Sequence, residues 1–328
     1  MKSDLALPLA FTLLTLAGAS ALAEPTDDER TAAVRRTATT NLQCNSRILG
    51  PYYWEIGRVD GPVASGRVSP FGQPDTVDAD TVMSIASASK WVYVAQAVER
   101  FGDVASSRKF LNMTSGYSNF RTSHCPVDGT VAECDPGEVT RNEARKKIFH
   151  YDGGHMQKHA VDNGLGPLDA SGLTSDVASV LGDDTGLTYI QPGVAGGVQT
   201  TPRQYGAFLR RLMPGSAAPL ALAELLGSHP VCTLPSDTCV ASKLTAIPEA
   251  WHYSLGHWIE DDPATTPPEN VAFSSPGSFG FYPWIDASRT WYGMLARQTK
   301  AFTGNDEGYA SVKCGRLLRL AWITGEPQ

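Results

Sequence analysis

This chain lacks many of the patterns that would give a function away. It has no G-x-S-x-G, the strand–turn–helix signature of an α/β-hydrolase serine. It has no G-x-G-x-x-G and no Walker loop, which removes the dinucleotide and P-loop readings. H-E-x-x-H and C-x-x-C are both missing, and with them the usual zinc spacings. Basic residues are the minority, with 27 Lys and Arg against 34 Asp and Glu and a net charge of −7. A scattered, mildly acidic balance leaves no footprint for nucleic acid. There is no internal repeat and no low-complexity tract. Beyond the N-terminus no stretch approaches the roughly 18 unbroken apolar residues of a membrane span, so no stable membrane insertion is expected.

The N-terminus is the exception in hydropathy. Lys2 precedes a largely apolar run from Leu5 to Leu16, and Ala21-Leu22-Ala23 has the small-x-small pattern of a cleavage site. This predicts a signal peptide over residues 1–23 and a secreted or periplasmic protein. Residues 24–328 then suffice for one large domain, or for a two-part unit sharing a cleft. All six cysteines lie in that part, and an even count in an exported chain points to disulfides. Cys125 and Cys134 flank the turn-rich Pro126-Val127-Asp128-Gly129. Cys232 and Cys239 flank Leu234-Pro235-Ser236-Asp237. Both pairs read as local staples, which leaves Cys44 with Cys314 to tie the start of the mature chain to its end. Other pairings remain open to the sequence.

Residues 24–40 read as a loose arm or a first helix. Tyr52 to Val68 reads as two strands around Asp60-Gly61-Pro62, the second from Val63. The middle is mostly helical. Helices are expected over Val139–Lys147, from Met156, over Leu173–Leu181 with Thr174 or Ser175 as cap, and after Thr201-Pro202. Trp251–Glu260 reads as one strand, Ser278–Asp286 and Thr290–Gln298 as a hairpin, and Val312–Trp322 as a closing helix. Strands at both ends with helices between them predict an α+β fold. Its antiparallel sheet is built from both termini, with an inserted helical lobe over roughly residues 103–245.

The chemistry centres on the stretch from Ser84 to Val94, which holds Ser87 and Lys90 in the spacing S-x-x-K. Val94, Val98 and Phe101 recur at helical spacing and Gly102 supplies a stop. Residues three apart on a helix share a face. A serine hydroxyl needs a base within hydrogen-bond reach to act as a nucleophile. The plainer alternative is a helix N-terminus capped by Ser84, Ser87 or Ser89, with Lys90 in solvent.

Five stretches in order bear on that choice: Thr81 to Lys90, Leu111-Asn112-Met113-Thr114-Ser115-Gly116, Ala195 to Thr201, Tyr253 to Trp258, and Phe279 to Asp286. Together they resemble the serine β-lactamase-related superfamily, on the branch of class C β-lactamases, family VIII carboxylesterases and D-Ala-D-Ala peptidases. The resemblance covers about residues 45–300. It implies a serine hydrolase with an acyl-enzyme on Ser87, Lys90 as base, no cofactor, and a small-molecule acyl substrate as its partner. The superfamily's second motif, Tyr-x-Asn, has two candidates. Tyr117-Ser118-Asn119 matches by letter, but Tyr151-Asp152-Gly153 fits the expected place after Pro136-Gly137. Tyr151 is preferred, with Tyr117 second. Gly153 stands where relatives have an amide and is assigned to the substrate side.

The third motif, Lys-Thr-Gly or His-x-Gly in relatives, corresponds to Ala272 to Gly280 and contains no cation. Ser275 and Gly277 are the candidates for the oxyanion strand. The missing cation argues against substrates with a carboxylate, such as β-lactams and D-Ala-D-Ala ends, and for uncharged esters. Arg203 or Arg297 could restore the charge from elsewhere. Trp251, Trp258, Phe279, Tyr282 and Trp284 are candidates to line an apolar acyl pocket. The alternatives are β-lactamase or D-Ala-D-Ala peptidase activity, or a catalytically silent binding protein on the same fold. A weaker metal alternative uses His155 and His159, with His150 and Asp152 upstream. His252 and His257 read as packing or cleft wall.

Overall fold

A computed structural model describes residues 24–102, 104–121, 125–134, 140–241, 246–299 and 306–328. The expected signal peptide lies outside the described residues. In chain order the helices are α1 (Asp27–Thr40), α2 (Ser46–Leu49), α3 (Ser89–Phe101), α4 (Val104–Leu111), α5 (Gly154–Ala160), α6 (Ala170–Leu181), α7 (Pro202–Arg210) and α8 (Asp306–Thr324). The strands are β1 (Tyr52–Arg58), β2 (Gly61–Val68), β3 (Met83–Ser84), β4 (Thr188–Tyr189), β5 (Val198–Thr200) and β6 (Val231–Cys232), then β7 (His252–Ser254), β8 (His257–Ile259), β9 (Ala272–Ser274), β10 (Tyr282–Asp286) and β11 (Tyr292–Ala296).

The expected antiparallel sheet forms from both ends of the chain, in the order β2-β1-β11-β10-β9-β8-β7-β6. Its register puts Trp54 beside Leu295, Leu295 beside Tyr282, and Glu55 beside Met294. Side chains alternate faces along a strand, so these pairs define two faces. Tyr282 meets Gly315 of α8, and Arg319 of α8 stacks on Trp284. On the other face Glu55, Tyr292 and Met294 meet Gly206 of α7. With helices on both sides, every residue from Tyr52 to Gly57 is buried.

The two ends are tied together beyond the sheet. α1 starts with a capping box of Thr26 and Glu29 and three acids in its first turn, which suits the positive end of the helix dipole. It lies against α8, where the Arg30 guanidinium donates to the Trp322 carbonyl at 2.6 Å and the Ile323 carbonyl at 2.8 Å. Cys44 is bonded to Cys314, Cys125 to Cys134 and Cys232 to Cys239, the pairing expected from the loops.

Several local expectations are corrected. Trp251–Glu260 is not one strand but the hairpin β7–β8, turning at Leu255 (φ 38°) and Gly256 (φ 82°). Two successive positive φ values make the turn that matches strand twist. Gly256 is required there also by space, because a Cβ would lie 3.0 Å from the Lys90 carbonyl oxygen. The expected helix over Val139–Lys147 reduces, among the described residues, to one 3₁₀ turn at Glu143–Arg145. α6 begins at Ala170 under an Asp169 cap, and Thr174 instead accepts the Tyr189 N–H across to β4. A small second sheet, β3-β5-β4, was not legible at all, since its strands are two or three residues long.

Candidate active site

Ser87 does not sit on the helix proper. It occupies a 3₁₀ turn, Ala86–Ala88, between β3 and α3. Ala86 has φ 45°, a left-handed conformation that costs an ordinary residue of order 1–2 kcal/mol. Such strain persists only where the surroundings fix it. Here the Tyr205 hydroxyl donates to the Ala88 carbonyl at 3.0 Å and the Ser275 hydroxyl to the Ser87 carbonyl at 3.2 Å. The Ile85 N–H donates to the Val198 carbonyl at 3.1 Å, and the Val198 N–H to Ser89 Oγ at 3.1 Å. The turn is thus held from α7, β5 and the end of β9.

Lys90, in the first turn of α3, is only 5 % exposed. Its Nζ donates to Ser87 Oγ at 2.8 Å and to the Ala195 carbonyl at 3.0 Å. No cap hydrogen bond from a serine side chain is present at this helix start, so the capping alternative for Ser87 does not describe the structure. The Ala195 carbonyl lies in the Gly-rich stretch from Ala195 to Thr201, but as a backbone atom it carries no signal of its own.

Of the two tyrosines, the structure brings Tyr151 to Ser87 and leaves Tyr117 elsewhere. Tyr151 and Ser87 share a cleft of about 340 Å³ with Lys90, Asp152, Gly153, Ser278 and Phe279. Lys90 Nζ stands 4.9 Å from the Tyr151 ring centroid. The ring is stacked on Trp258 at 5.2 Å and meets Tyr253 edge-on at 6.0 Å. Tyr117 instead stacks on Phe110 in a separate cavity. Asp152 accepts the Gly154 N–H at 2.7 Å and the Phe120 N–H at 3.1 Å. Burial pushes its carboxyl above the usual range, against those two donors and the Lys90 charge. Gly153 opens α5, and a Cβ there would lie 3.2 Å from the Phe120 ring.

The strand candidates are placed differently from expectation. The Ser275 N–H donates to the Pro283 carbonyl at 3.3 Å, continuing the sheet, and the Gly277 N–H donates to the Phe281 carbonyl at 2.7 Å. Neither faces an incoming substrate. Gly277 serves by its missing side chain, because a Cβ there would overlap the Ile85 carbonyl oxygen of the serine turn. Ser278, next to Gly277 and not among the expected strand donors, lines the cleft with Ser87. Among the described residues the N–H groups of Ser87 and Ser278 have no hydrogen-bond partner.

A narrow slot of about 10 Å³ adjoins the cleft, lined by Ser87, Tyr151, Ile247, Trp258, Pro276 and Tyr309 among others. Of the five expected pocket aromatics, Trp258 and Phe279 line these spaces. Trp251, Tyr282 and Trp284 are in the core, as strand alternation requires. Neither expected arginine reaches the site. Arg297 is buried and donates to the Leu49 carbonyl, the Ser311 hydroxyl and Glu307, while Arg203 pairs with Asp80 at the surface.

The histidines of the metal alternative are buried among hydroxyls. His155 bonds to Ser115 Oγ at 2.6 Å and to the His150 carbonyl at 3.0 Å. His159 bonds to the Tyr93 hydroxyl at 2.7 Å and to Ser107 Oγ at 2.8 Å. Burial lowers His155 to about 3 and His159 to about 4. His257 packs on Trp91 and accepts the Gly227 N–H, and His252, at the start of β7, pairs with Asp261 just past β8.

This combination of sheet, helices and serine turn is the fold of β-lactamases and penicillin-binding proteins, a fold used by serine hydrolases. EstCE1, described as a hydrolase with promiscuous acyltransferase activity, superposes with a TM-score of 0.63 at 11% identity over 90% of this chain and 99% of its own. A D-amino acid amidase from Ochrobactrum anthropi gives 0.59 at 12% over 90% and 98%. A β-lactamase/D-alanine carboxypeptidase from Yersinia pestis gives 0.56 at 11% over 82% and 93%. No family profile and no curated protein sequence matches the chain.

Proposed function

We propose that this protein is an exported serine hydrolase that forms an acyl-enzyme on Ser87 and acts on uncharged carboxylic esters. The observation that carries the reading is the 2.8 Å contact of Lys90 Nζ with Ser87 Oγ, on a lysine held in place by the Ala195 carbonyl. In the neutral form of the amine the same contact accepts the hydroxyl proton. Ser87 Oγ then bonds to the ester carbonyl carbon. The Ser87 and Ser278 N–H groups face the developing oxyanion, where fixed donors act without reorganising. Tyr151, beside Lys90, passes the proton to the departing alkoxide as the carbon–oxygen bond breaks. Water enters by the same route and releases the acid from Ser87.

The preference for esters rests on charge. No cation lies between Ala272 and Gly277, and Arg203 and Arg297 are committed elsewhere. A substrate carboxylate buried without a partner costs several kcal/mol. The activities of EstCE1 and of the amidase fit an acyl-transfer site of this kind. Export rests on the expected signal peptide together with the three disulfides. An active-site serine probe tests the centre of the reading. It should label the wild type and fail on Ser87→Ala, and labelling that persists in that variant overturns the assignment.

A further inference from the structure

Tyr117, unused by the active site, belongs to a second cavity of about 520 Å³ whose lining is dominated by positive charge. Lys109 at the end of α4 and Arg141, Lys146 and Lys147 on the segment before Tyr151 converge there. Lys158 adds a charge from α5, its Nζ 5.5 Å from the Tyr117 ring. The nearby acids are few. Asp162 pairs with Lys158, and Glu143 pairs with Arg141 at 3.0 Å. Among the described residues Lys109, Lys146 and Lys147 have no carboxylate partner. In a chain of net charge −7 this is a local reversal of sign.

Lys109, Arg141, Lys146 and Lys147 are exposed around an aromatic floor. Phe110 and Tyr117 stack at 6.0 Å with 16° between their planes, and Lys109 Nζ lies 5.0 Å from the Phe110 ring. The segment bearing Arg141, Lys146 and Lys147 is laced to residues 113–116. The Asn142 N–H donates to the Gly116 carbonyl at 2.9 Å, the Lys147 N–H to Thr114 at 2.8 Å and the His150 N–H to Met113 at 3.0 Å. Lys147 is held at φ 66°, a conformation unfavourable for lysine. Like charges gathered in a concavity repel one another, and an anion seated among them relieves that repulsion.

We infer that this cavity is a binding site for a multiply charged oxyanion, one carrying phosphoryl or sulfuryl groups on a small molecule or along a polymer. The site is separate from Ser87 and independent of the proposed hydrolysis. Calorimetric titration of the full chain with inorganic pyrophosphate at low salt is the test, repeated with long-chain polyphosphate. Saturable binding that weakens as salt rises is expected. The double substitution Lys146→Ala/Lys147→Ala should weaken it by about thirtyfold, the effect of removing two close charge contacts in a water-like dielectric. Lys109→Ala, on a different element, should weaken it as well and guards against a local folding fault in the first variant. Arg35→Ala/Arg36→Ala removes two exposed charges of α1 and should leave binding unchanged. Binding of pyrophosphate identifies a small-ligand site, and binding of polyphosphate alone identifies a polymer site. Failure of both probes at millimolar concentration, or an equal loss in the α1 variant, overturns the inference.

Discussion

Replacing Gly277 by alanine tests how closely the sheet abuts the serine turn. A Cβ at this position would overlap the Ile85 carbonyl oxygen and lie 3.1 Å from its carbon, with the Phe281 oxygen at 3.4 Å. These are backbone atoms, so no side-chain rotation relieves the overlap. Ordinary contact is restored only by moving the turn and the strand end apart by about 1 Å. That displacement falls on Ser87, two residues from Ile85, and on Ser278, next to Gly277. Overpacking of this kind costs about 1–3 kcal/mol of stability, or roughly 2–5 °C in Tm for a chain of this size. The same shift widens the gap between the nucleophile and the Ser278 N–H, and a 1 Å misplacement can cost roughly a hundredfold in rate. The assay is kcat/KM on a neutral short-chain ester together with a thermal melt, beside Gly166→Ala as control. At Gly166 the nearest atom to a new Cβ is the Ala132 methyl at 3.6 Å, an ordinary contact, and both readouts should hold. If Gly277→Ala keeps its rate within about twofold and its melting temperature, the strand does not press on the serine turn and the proposed oxyanion pair is misplaced.

Three further outcomes are expected. Removing the Cys44–Cys314 bond, which spans 270 residues, should cost about 5 kcal/mol on the chain-entropy account, against about 2.5 for Cys232–Cys239, which spans 7; equal losses in denaturant midpoint contradict this. Burial lowers His155 to about 3 and His159 and His257 to about 4, so each stays neutral in the fold while its unfolded counterpart charges below about pH 6.5. Their contribution is therefore complete above pH 6.5 and shrinks as pH falls toward 4, by roughly 2 kcal/mol each at pH 5. Urea midpoints at pH 7.5 and pH 5 decide it, and a midpoint that does not fall at pH 5 refutes the burial argument. On one preparation, a neutral short-chain ester should exceed nitrocefin in kcat/KM. A nitrocefin advantage of about tenfold, or 1.4 kcal/mol, would falsify the carboxylate argument.

The sequence by itself determined the elements whose signals are local. Gly102 stops α3, Thr201-Pro202 starts α7, and the hairpin of β10 and β11 follows its turn residues, because capping and turn chemistry act within a few residues. Ser87 and Lys90 were visible for the same reason, being three positions apart. The disulfide pairing was legible where the loops are short, and the long tie followed from what remained.

Tertiary structure decided everything that depends on approach from far along the chain. Tyr117 and Tyr151 are equivalent as letters, yet Tyr151 alone enters the Ser87 cleft, because the segment before it is laced to residues 113–116. The Ala195 carbonyl that holds Lys90 and the Ser278 N–H, which has no partner among the described residues, are backbone atoms common to nearly all residue types, so no side-chain pattern could mark them. The same limit misassigned Ser275 and Gly277. Whether an N–H faces the sheet or the substrate depends on strand register, and the partners Pro283 and Phe281, though near in sequence, carry no side-chain signal that sets it.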